Sequence, residues 1–432
     1  MTALVYPLLP APDLVLGAAT GFSFGDKYAL GLVGFGVALF AAIGALSHEQ
    51  ERTFSASIVY LVLGVAAAAA LAALGVSPID PVHDAALVER VTELALIVAV
   101  FATGLSLERR LSWRGWRSVV ILLAVVMPLT IAAVALFGAL VMGLSVGAAI
   151  ILGAALAPTD PVLAGDVGVG PPGDAVKRGG TRFSLSAEAA LNDGLASPFV
   201  LLGILVAGEG GTRWIGEWAV ADVAYATLVG GALGAVGGHL IAALAVRLRD
   251  AELLDNRLDA YFAIPTVLVV YGVAEVVGTY GLVAAFCAGV AFRRYEFEHE
   301  YNRHVHQGAE LVEKFGELVV ILLLGSMVTL SGLGEPGLSG WLLAPVLLLL
   351  IRPGLVLALF ARSDMNLGER TFLGWFGVRG VAALYYVALV TGSGVLSPAE
   401  QTTVFWTVLV CVMLSILVHG LTATPLRRRL VE

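Results

Sequence analysis

The stretch Ser186-Ala-Glu188-Ala-Ala-Leu-Asn192-Asp193-Gly194 places two acids and an asparagine in a segment that otherwise has the composition of a membrane-spanning helix. Glu188 and Asn192 are four residues apart and share one helix face, whereas Asp193 lies about 100° further round. An ionisable side chain in the middle of a bilayer costs about 2.5–3.5 kcal/mol, which marks it as functional. A re-entrant or solvent-exposed loop is the alternative, and the apolar run that follows at residues 199–206 disfavours it.

The composition indicates an integral membrane protein. Hydrophobic residues make up 59% of the 432 residues, charged residues make up 13%, and the mean hydropathy is +0.91. Apolar segments of about 20 residues recur along the chain, so we expect residues 1–432 to form a single all-α transmembrane domain with no soluble regulatory tail. The net charge of -8 disfavours nucleic acid as a partner. Cys287 and Cys411 lie in apolar runs and predict packing residues rather than a disulfide or a metal site.

Thirteen apolar segments predict thirteen transmembrane helices. Their expected bounds are 28–46, 57–75, 87–107, 119–141, 146–165, 183–206, 219–246, 259–277, 279–292, 312–332, 339–360, 368–391 and 399–420. The connections that follow odd-numbered segments hold 20 of the 25 basic residues. Because cytoplasmic loops carry the excess of arginine and lysine, this distribution predicts an outside N-terminus and a cytoplasmic C-terminus.

Arg352 and Arg379 are the two basic residues that remain well inside the predicted segments. A buried carboxylate with a guanidinium partner stays ionised and holds its helix in place. We therefore expect these arginines to pair with acids or to compensate a helix end. For Arg352 the alternative is snorkelling, in which the long side chain reaches the membrane interface.

The fifth segment contains Ala157-Pro158-Thr159-Asp160-Pro161-Val162, whose two prolines predict a break in the helix. Unwound backbone inside a membrane occurs only where it lines a cavity or binds a ligand. The freed carbonyls, the Thr159 hydroxyl and the Asp160 carboxylate are hard oxygen ligands, which suit a small cation.

The twelfth segment is interrupted by Gly374, Gly377 and Gly380. The fifth and twelfth segments enter the membrane from opposite sides, which is the layout of inverted repeats with two crossing discontinuous helices. In that layout Asp160 balances the exposed N-terminal helix ends and Arg379 balances the C-terminal ones. A kinked structural helix is the alternative.

These motifs resemble those of the NhaP-like sodium/proton antiporters, a branch of the monovalent cation:proton antiporter superfamily. The resemblance covers most of the thirteen segments and implies an NhaA-like fold. The matching pieces are Thr159-Asp160-Pro161, Glu188-x-x-x-Asn192-Asp193, Gly281-Leu-Val-Ala-Ala-Phe-Cys-Ala-Gly289, Arg352-Pro353, Trp375-Phe-Gly-Val-Arg379-Gly380 and Val418-His419-Gly420-Leu421-Thr422.

The resemblance implies an ion site at the break in the fifth segment. Asp193 is the expected carboxylate that binds either the cation or a proton, and Asp160 adds a second carboxylate. Thr159 adds oxygen ligands, so these three residues are the expected Na⁺ ligands. Asn192 is expected to stabilise the site.

The resemblance also assigns roles around this site. Glu188 is expected to pair with Arg352, and Glu93 of the third segment resembles the acid that reaches the ion from a neighbouring helix. Solvation at the interface is the alternative for Glu93, because it lies near the start of its segment. The family usually has serine or glycine where this chain has Ala189, so the ion preference stays open.

On this resemblance we expect a transporter, not an enzyme, that exchanges Na⁺ or Li⁺ for H⁺ by alternating access in sodium and pH homeostasis. Asn192 stands where electrogenic relatives carry a second aspartate, which favours one proton per cation. A K⁺/H⁺ antiporter or a cation channel is the alternative, and a membrane-embedded hydrolase is disfavoured because no segment contains HExxH. The resemblance implies a homodimer in the lipid bilayer of the cell membrane, without a cofactor beyond the transported Na⁺ and H⁺.

Overall fold

The computed structural model describes residues 27–47, 55–107, 112–160, 180–209, 211–253, 256–295 and 301–430, and the regular secondary structure in these ranges is helical. We number the main helices in chain order. They are α1 Lys27–Ser47, α2 Ala56–Ala73, α3 Ala85–Ser106, α4 Trp113–Leu140, α5 Val146–Leu156, α6 Gly180–Leu195, α7 Ser197–Gly208, α8 Trp214–Asp250, α9 Ala263–Val276, α10 Gly281–Tyr295, α11 Tyr301–Ser326, α12 Gly337–Leu359, α13 Leu367–Trp375, α14 Val381–Ser393 and α15 Pro398–Leu430.

Seven helical stretches in the described ranges are long and apolar enough to cross a membrane, and three shorter apolar helices accompany them. The chain is therefore a multi-pass membrane protein, as its composition predicts. Within the described residues, each of the thirteen predicted segments overlaps a helix, or a pair of helices separated by a break.

The largest difference in bounds concerns the tenth segment. It is predicted at 312–332, whereas α11 already begins at Tyr301. The early turns of α11 carry Glu310 and Lys314, which lower the local hydropathy. Val305 and Ala309 are nevertheless buried, so one apolar face extends the helix beyond the continuous apolar run.

Both predicted breaks are present in the described residues. In the fifth segment α5 ends at Leu156 and residues 157–160 are not helical, whereas residues 161–165 of that prediction lie outside the described residues. In the twelfth segment α13 ends at Trp375 and α14 begins at Val381. The predicted position of this break is corrected in one respect, because Gly374 lies inside α13 and the interruption covers residues 376–380.

Glycine allows close packing of the helices around the site. A Cβ atom on Gly234 of α8 would overlap the main chain of Ala284 on α10. A Cβ atom on Gly194 of α6 would lie 2.9 Å from the main-chain nitrogen of Val283. Small residues at helix interfaces let backbones approach in this way, and here they bring the segment that carries Asp193 against the start of α10.

Candidate ion-binding site

The C-terminal end of α5 is compensated by an arginine. Arg379 is fully buried at 0% exposure, and its Nη1 donates to the carbonyls of Ala157 and Pro158 at 3.0 Å each. These carbonyls lie just beyond the last turn of α5, where a helix leaves acceptors without intrahelical donors. Because a helix C-terminus carries a partial negative charge, the guanidinium stabilises it. The predicted contact between Arg379 and this break is present.

The N-terminal end of α14 is compensated by an aspartate. Asp160, which is 2% exposed, accepts the main-chain N–H of Val381 at 2.7 Å through Oδ2. The N–H of Asp160 donates to the carbonyl of Val378 at 2.9 Å. The two broken helices are therefore tied to each other in both directions, which is the crossing that inverted repeats predict.

The break between α13 and α14 is also supported by α15. Oγ of Ser415 accepts the main-chain N–H of Arg379 at 2.8 Å. Nε2 of His419 lies 2.9 Å from the carbonyl oxygen of Trp375, and its Nδ1 lies 3.1 Å from Ser415 Oγ. Polar backbone groups at the break thus have partners inside the protein, as backbone within a membrane requires.

The side-chain carboxylate of Asp193 lies beside this crossing and has no hydrogen-bond partner among the described residues. Asp193 is 0% exposed. Asp160 is close enough for the two charges to interact. Asn192 donates from Nδ2 to Thr159 Oγ1 at 2.8 Å, and its Oδ1 also lacks a described donor. Three buried acceptor oxygens are thus available to a cation, a proton or water.

Glu188 and Arg352 form a buried ion pair. Nη1 and Nη2 of Arg352 donate to Oε1 and Oε2 of Glu188 at 2.5 and 2.7 Å. The side chains are 1% exposed for the acid and 3% exposed for the arginine, so the pair lies in the interior and Arg352 does not snorkel. The expected pairing is present, and it joins α6 to α12 through a bidentate contact.

The arginine approaches Glu188 through space that a glycine leaves open. A Cβ atom on Gly377, in the break between α13 and α14, would lie 2.9 Å from Nε and 3.0 Å from Cγ of Arg352. Arg352 follows a π-helical turn at Val346–Ile351, and Pro353 follows the arginine. Such turns are frequent at functional sites because they redirect a side chain out of the regular helical register.

Ala189 is buried beside this constellation at 1% exposure. Its methyl group offers no ligand atom, so any oxygen ligands must come from other residues, such as Asp193, Asp160 and Thr159, or from the main chain. The side chain at the position where the family often has serine therefore supplies no oxygen in this chain.

Both carboxylate oxygens of Glu93, the acid expected to reach the ion from a neighbouring helix, have other partners in the structure. Its Oε1 accepts the hydroxyl of Tyr271 at 2.6 Å and its Oε2 accepts Nη1 of Arg90 at 2.8 Å. Among the described residues it contacts neither Asp160 nor Asp193. The reason is its position two turns from the start of α3, where donors from α3 and α9 satisfy both oxygens.

Two features near the site are not apparent from the sequence motifs. Glu313 of α11 has neither a hydrogen bond nor an ion pair in the described part of the chain, and its charge interacts with that of Asp160. The acids Glu310, Glu313 and Glu317 follow a spacing of three and four, which places them on one helix face. That spacing is the sequence feature from which Glu313 could have been identified. The second feature is Tyr386, whose hydroxyl donates to the main-chain carbonyl of Asp193.

The comparison with protein families decides the assignment. The model of the transmembrane sodium/hydrogen exchangers matches residues 36–429. The chain belongs to the sodium/hydrogen exchanger family. Among relatives, Na⁺/H⁺ antiporter 2 of Zygosaccharomyces rouxii is 29% identical over 362 residues, which are 76% of this chain and 44% of that protein. The antiporter ApNhaP of Aphanothece halophytica is 27% identical over 415 residues, which are 90% of this chain and 73% of that protein. This exchanger-family chain thus spans less than half the length of the fungal relative.

A solved structure supports the fold of this exchanger-family chain. The sodium proton antiporter MjNhaP1 from Methanocaldococcus jannaschii, determined at pH 8, superposes with a TM-score of 0.71 at 17% sequence identity. The match covers 94% of this chain and 100% of that chain. The antiporter fold that the NhaP resemblance implies is therefore confirmed.

Proposed function

We propose that this chain exchanges Na⁺ or Li⁺ for H⁺, with Asp193 as the carboxylate that holds either the cation or the proton. One observation carries the proposal. Of the three acids at the crossing, Glu188 is paired with Arg352 and Asp160 is bonded to α14, whereas Asp193 is fully buried with no described donor. A buried carboxylate without a counter-charge is neutralised by a proton or a cation. Because the proton and the cation compete for the same oxygens, binding of one releases the other, and this competition produces exchange.

The expected Na⁺ ligands are Asp193, Asp160 and Thr159, with Asn192 holding Thr159 in place. All four are at most 2% exposed, and together they supply only oxygen acceptors to an ion, as a hard alkali cation requires. Because Asn192 already donates to Thr159, its free Oδ1 is a further acceptor in the same region. A main-chain carbonyl or a water completes the coordination that the methyl group of Ala189 leaves open.

The charges at the crossing favour one proton per cation. Glu188 and Arg352 cancel each other, and Asp160 and Arg379 face helix ends of opposite sign. Asp193 then remains as the carboxylate at the crossing whose occupancy changes. Replacing one proton by one monovalent cation moves no net charge across the site, so we propose electroneutral exchange.

The remaining assignments rest on the family resemblance and on charge. We propose alternating access by movement of one half of the bundle against the other, in a cell membrane, with the N-terminus outside and the C-terminus in the cytoplasm. A homodimer within the lipid bilayer is part of the same proposal. The chain acts as a transporter and not as an enzyme, and it takes no cofactor besides the ions that it moves.

The test is proton flux in proteoliposomes with a preset pH gradient and a clamped membrane potential, to which Na⁺, Li⁺ or K⁺ is added. We expect dissipation of the gradient by Na⁺ or Li⁺ at zero potential, and its loss in Asp193→Asn. Asp364→Asn, the same change at an exposed position, is the control and keeps the wild-type rate. Strong exchange in Asp193→Asn contradicts the site. A response to K⁺ alone indicates a K⁺/H⁺ antiporter, and flux that follows voltage without proton movement indicates a channel.

A further inference from the structure

The main chain at Asp193 is held by a tyrosine from another helix. Tyr386 of α14 is 2% exposed, and its hydroxyl donates to the main-chain carbonyl of Asp193. The same hydroxyl lies 2.9 Å from Oγ of Ser197. A phenol buried this deeply needs polar partners, and both of its partners belong to the segment that carries the exchanging carboxylate.

This segment needs support from outside because its own helical ladder is interrupted. α6 ends at Leu195 and α7 begins at Ser197, so the break falls just after Asp193. Pro198 has no N–H and gives no hydrogen bond to the carbonyl one turn earlier. The position of Asp193 therefore depends on its contact with Tyr386 as well as on the ladder of α6.

The helix that carries Tyr386 also holds the second carboxylate. The main-chain N–H of Val381, in the first turn of α14, binds Asp160 Oδ2 at 2.7 Å. Tyr386 follows five residues later, which is about 7.5 Å along a helix axis. One stretch of α14 thus sets the separation between the segment of Asp160 and the segment of Asp193.

We propose that Tyr386 is a positioning residue that determines which alkali cation the site prefers. The proposal rests on the exchange function proposed above. Selectivity among cations depends on the size and rigidity of the cavity and on the number of ligands. With the hydroxyl in place, Asp193 is held at a set distance from Asp160 and Thr159, and the cavity fits one ionic radius better than others. Without the hydroxyl, Asp193 shifts together with the break between α6 and α7, and the cavity accepts cations of several ionic radii.

The test is Tyr386→Phe in the full-length protein, since phenylalanine keeps the ring and removes only the hydroxyl. Apparent affinities for Li⁺, Na⁺ and K⁺ are measured as the cation-dependent rise in melting temperature of purified protein, and as KM values in proteoliposomes. We expect the affinity for the preferred cation to fall about three- to tenfold, as for one lost buried hydrogen bond. The ratio between the preferred cation and the next should narrow by a similar factor.

The matched control is Tyr385→Phe, the same substitution one residue away. The ring centroids of Tyr385 and Tyr386 are 5.0 Å apart, but the hydroxyl of Tyr385 interacts with Tyr271 and not with Asp193. We expect this control to keep the wild-type ratio of affinities. An equal change in both variants, or an unchanged ratio in Tyr386→Phe, overturns the proposal.

A second variant protects against a folding defect. 3-Fluorotyrosine at position 386 keeps the packing and is a stronger donor, so the selectivity should stay at or above that of the wild type; a loss contradicts the proposal.

The binding measurement also distinguishes failure of the exchange function from failure of the proposal for Tyr386. Wild-type protein that binds cations selectively but moves no protons refutes the exchange function and leaves Tyr386 testable by affinity. Wild-type protein that neither binds nor exchanges cations refutes both proposals.

Discussion

Removing Arg352 from its pair with Glu188 should destabilise the protein by about 3–5 kcal/mol, the cost of leaving one member of a buried pair without its partner. Both hydrogen bonds, at 2.5 and 2.7 Å, are lost in Arg352→Met, and Glu188 at 0% exposure has no water to replace them. Glu188→Met should cost at least as much, because it leaves Arg352 beside the like charge of Arg379.

A double variant separates the interaction energy between Arg352 and Glu188 from the individual contribution of each side chain. With both side chains replaced by methionine, no buried charge is orphaned, and the cost should fall below about 2 kcal/mol. Unfolding free energies of the four proteins in detergent then give a coupling of about 4 kcal/mol or more. Lys314→Met is the control, since Lys314 and Glu310 form an exposed pair at 2.9 Å that is worth about 0.5 kcal/mol. Additive costs in the double variant would refute a buried, mutually dependent pair.

Three further predictions concern the surroundings of the site. Gly377→Ala should cost about 1–3 kcal/mol because its Cβ atom meets the fixed side chain of Arg352, whereas Gly354→Ala, with open space around it, should cost nothing; melting curves of both variants test this. Asp160→Asn should lower the apparent affinity for Na⁺ about tenfold in the flux assay, since it removes a charged ligand; unchanged affinity contradicts its role as a ligand. Glu313→Gln should leave the melting temperature within about 2 °C of wild type, because Glu313 has no hydrogen bond or ion pair in the described part of the chain that the substitution would break. A larger shift would contradict this.

The sequence predicts the fold well because the membrane simplifies the pattern. The length of each apolar run predicts a transmembrane helix. Two prolines or several glycines predict each break, since neither residue type readily continues the hydrogen-bond pattern of a helix. That Arg352 pairs with a buried acid is predictable for the same reason, because few charges lie inside the membrane and each needs a partner. The choice of Glu188 as that acid follows from the family resemblance.

The sequence predicts contacts less well where they depend on the rotation of a helix about its axis and on the depth of a residue in the membrane. Glu93 lies on a spanning helix, but whether it reaches the ion depends on which way α3 turns and on donors such as Tyr271 that come from another helix. Tyr386 resembles any aromatic packing residue until the break after Asp193 shows which carbonyl its hydroxyl meets. α11 extends beyond its apolar run because an amphipathic face, not overall hydropathy, continues the helix.

The crossing of α5 and α14 has a consequence for how these sequences can change. A helix end has a sign that follows from the direction of the chain, so the residue that faces the start of α14 has to be acidic and the one that faces the end of α5 has to be basic. Exchanging Asp160 and Arg379 would preserve the composition and the net charge, yet it would set like against like at both ends. Chain direction thus dictates the polarity of two side chains that are 219 positions apart in a sequence of 432 residues.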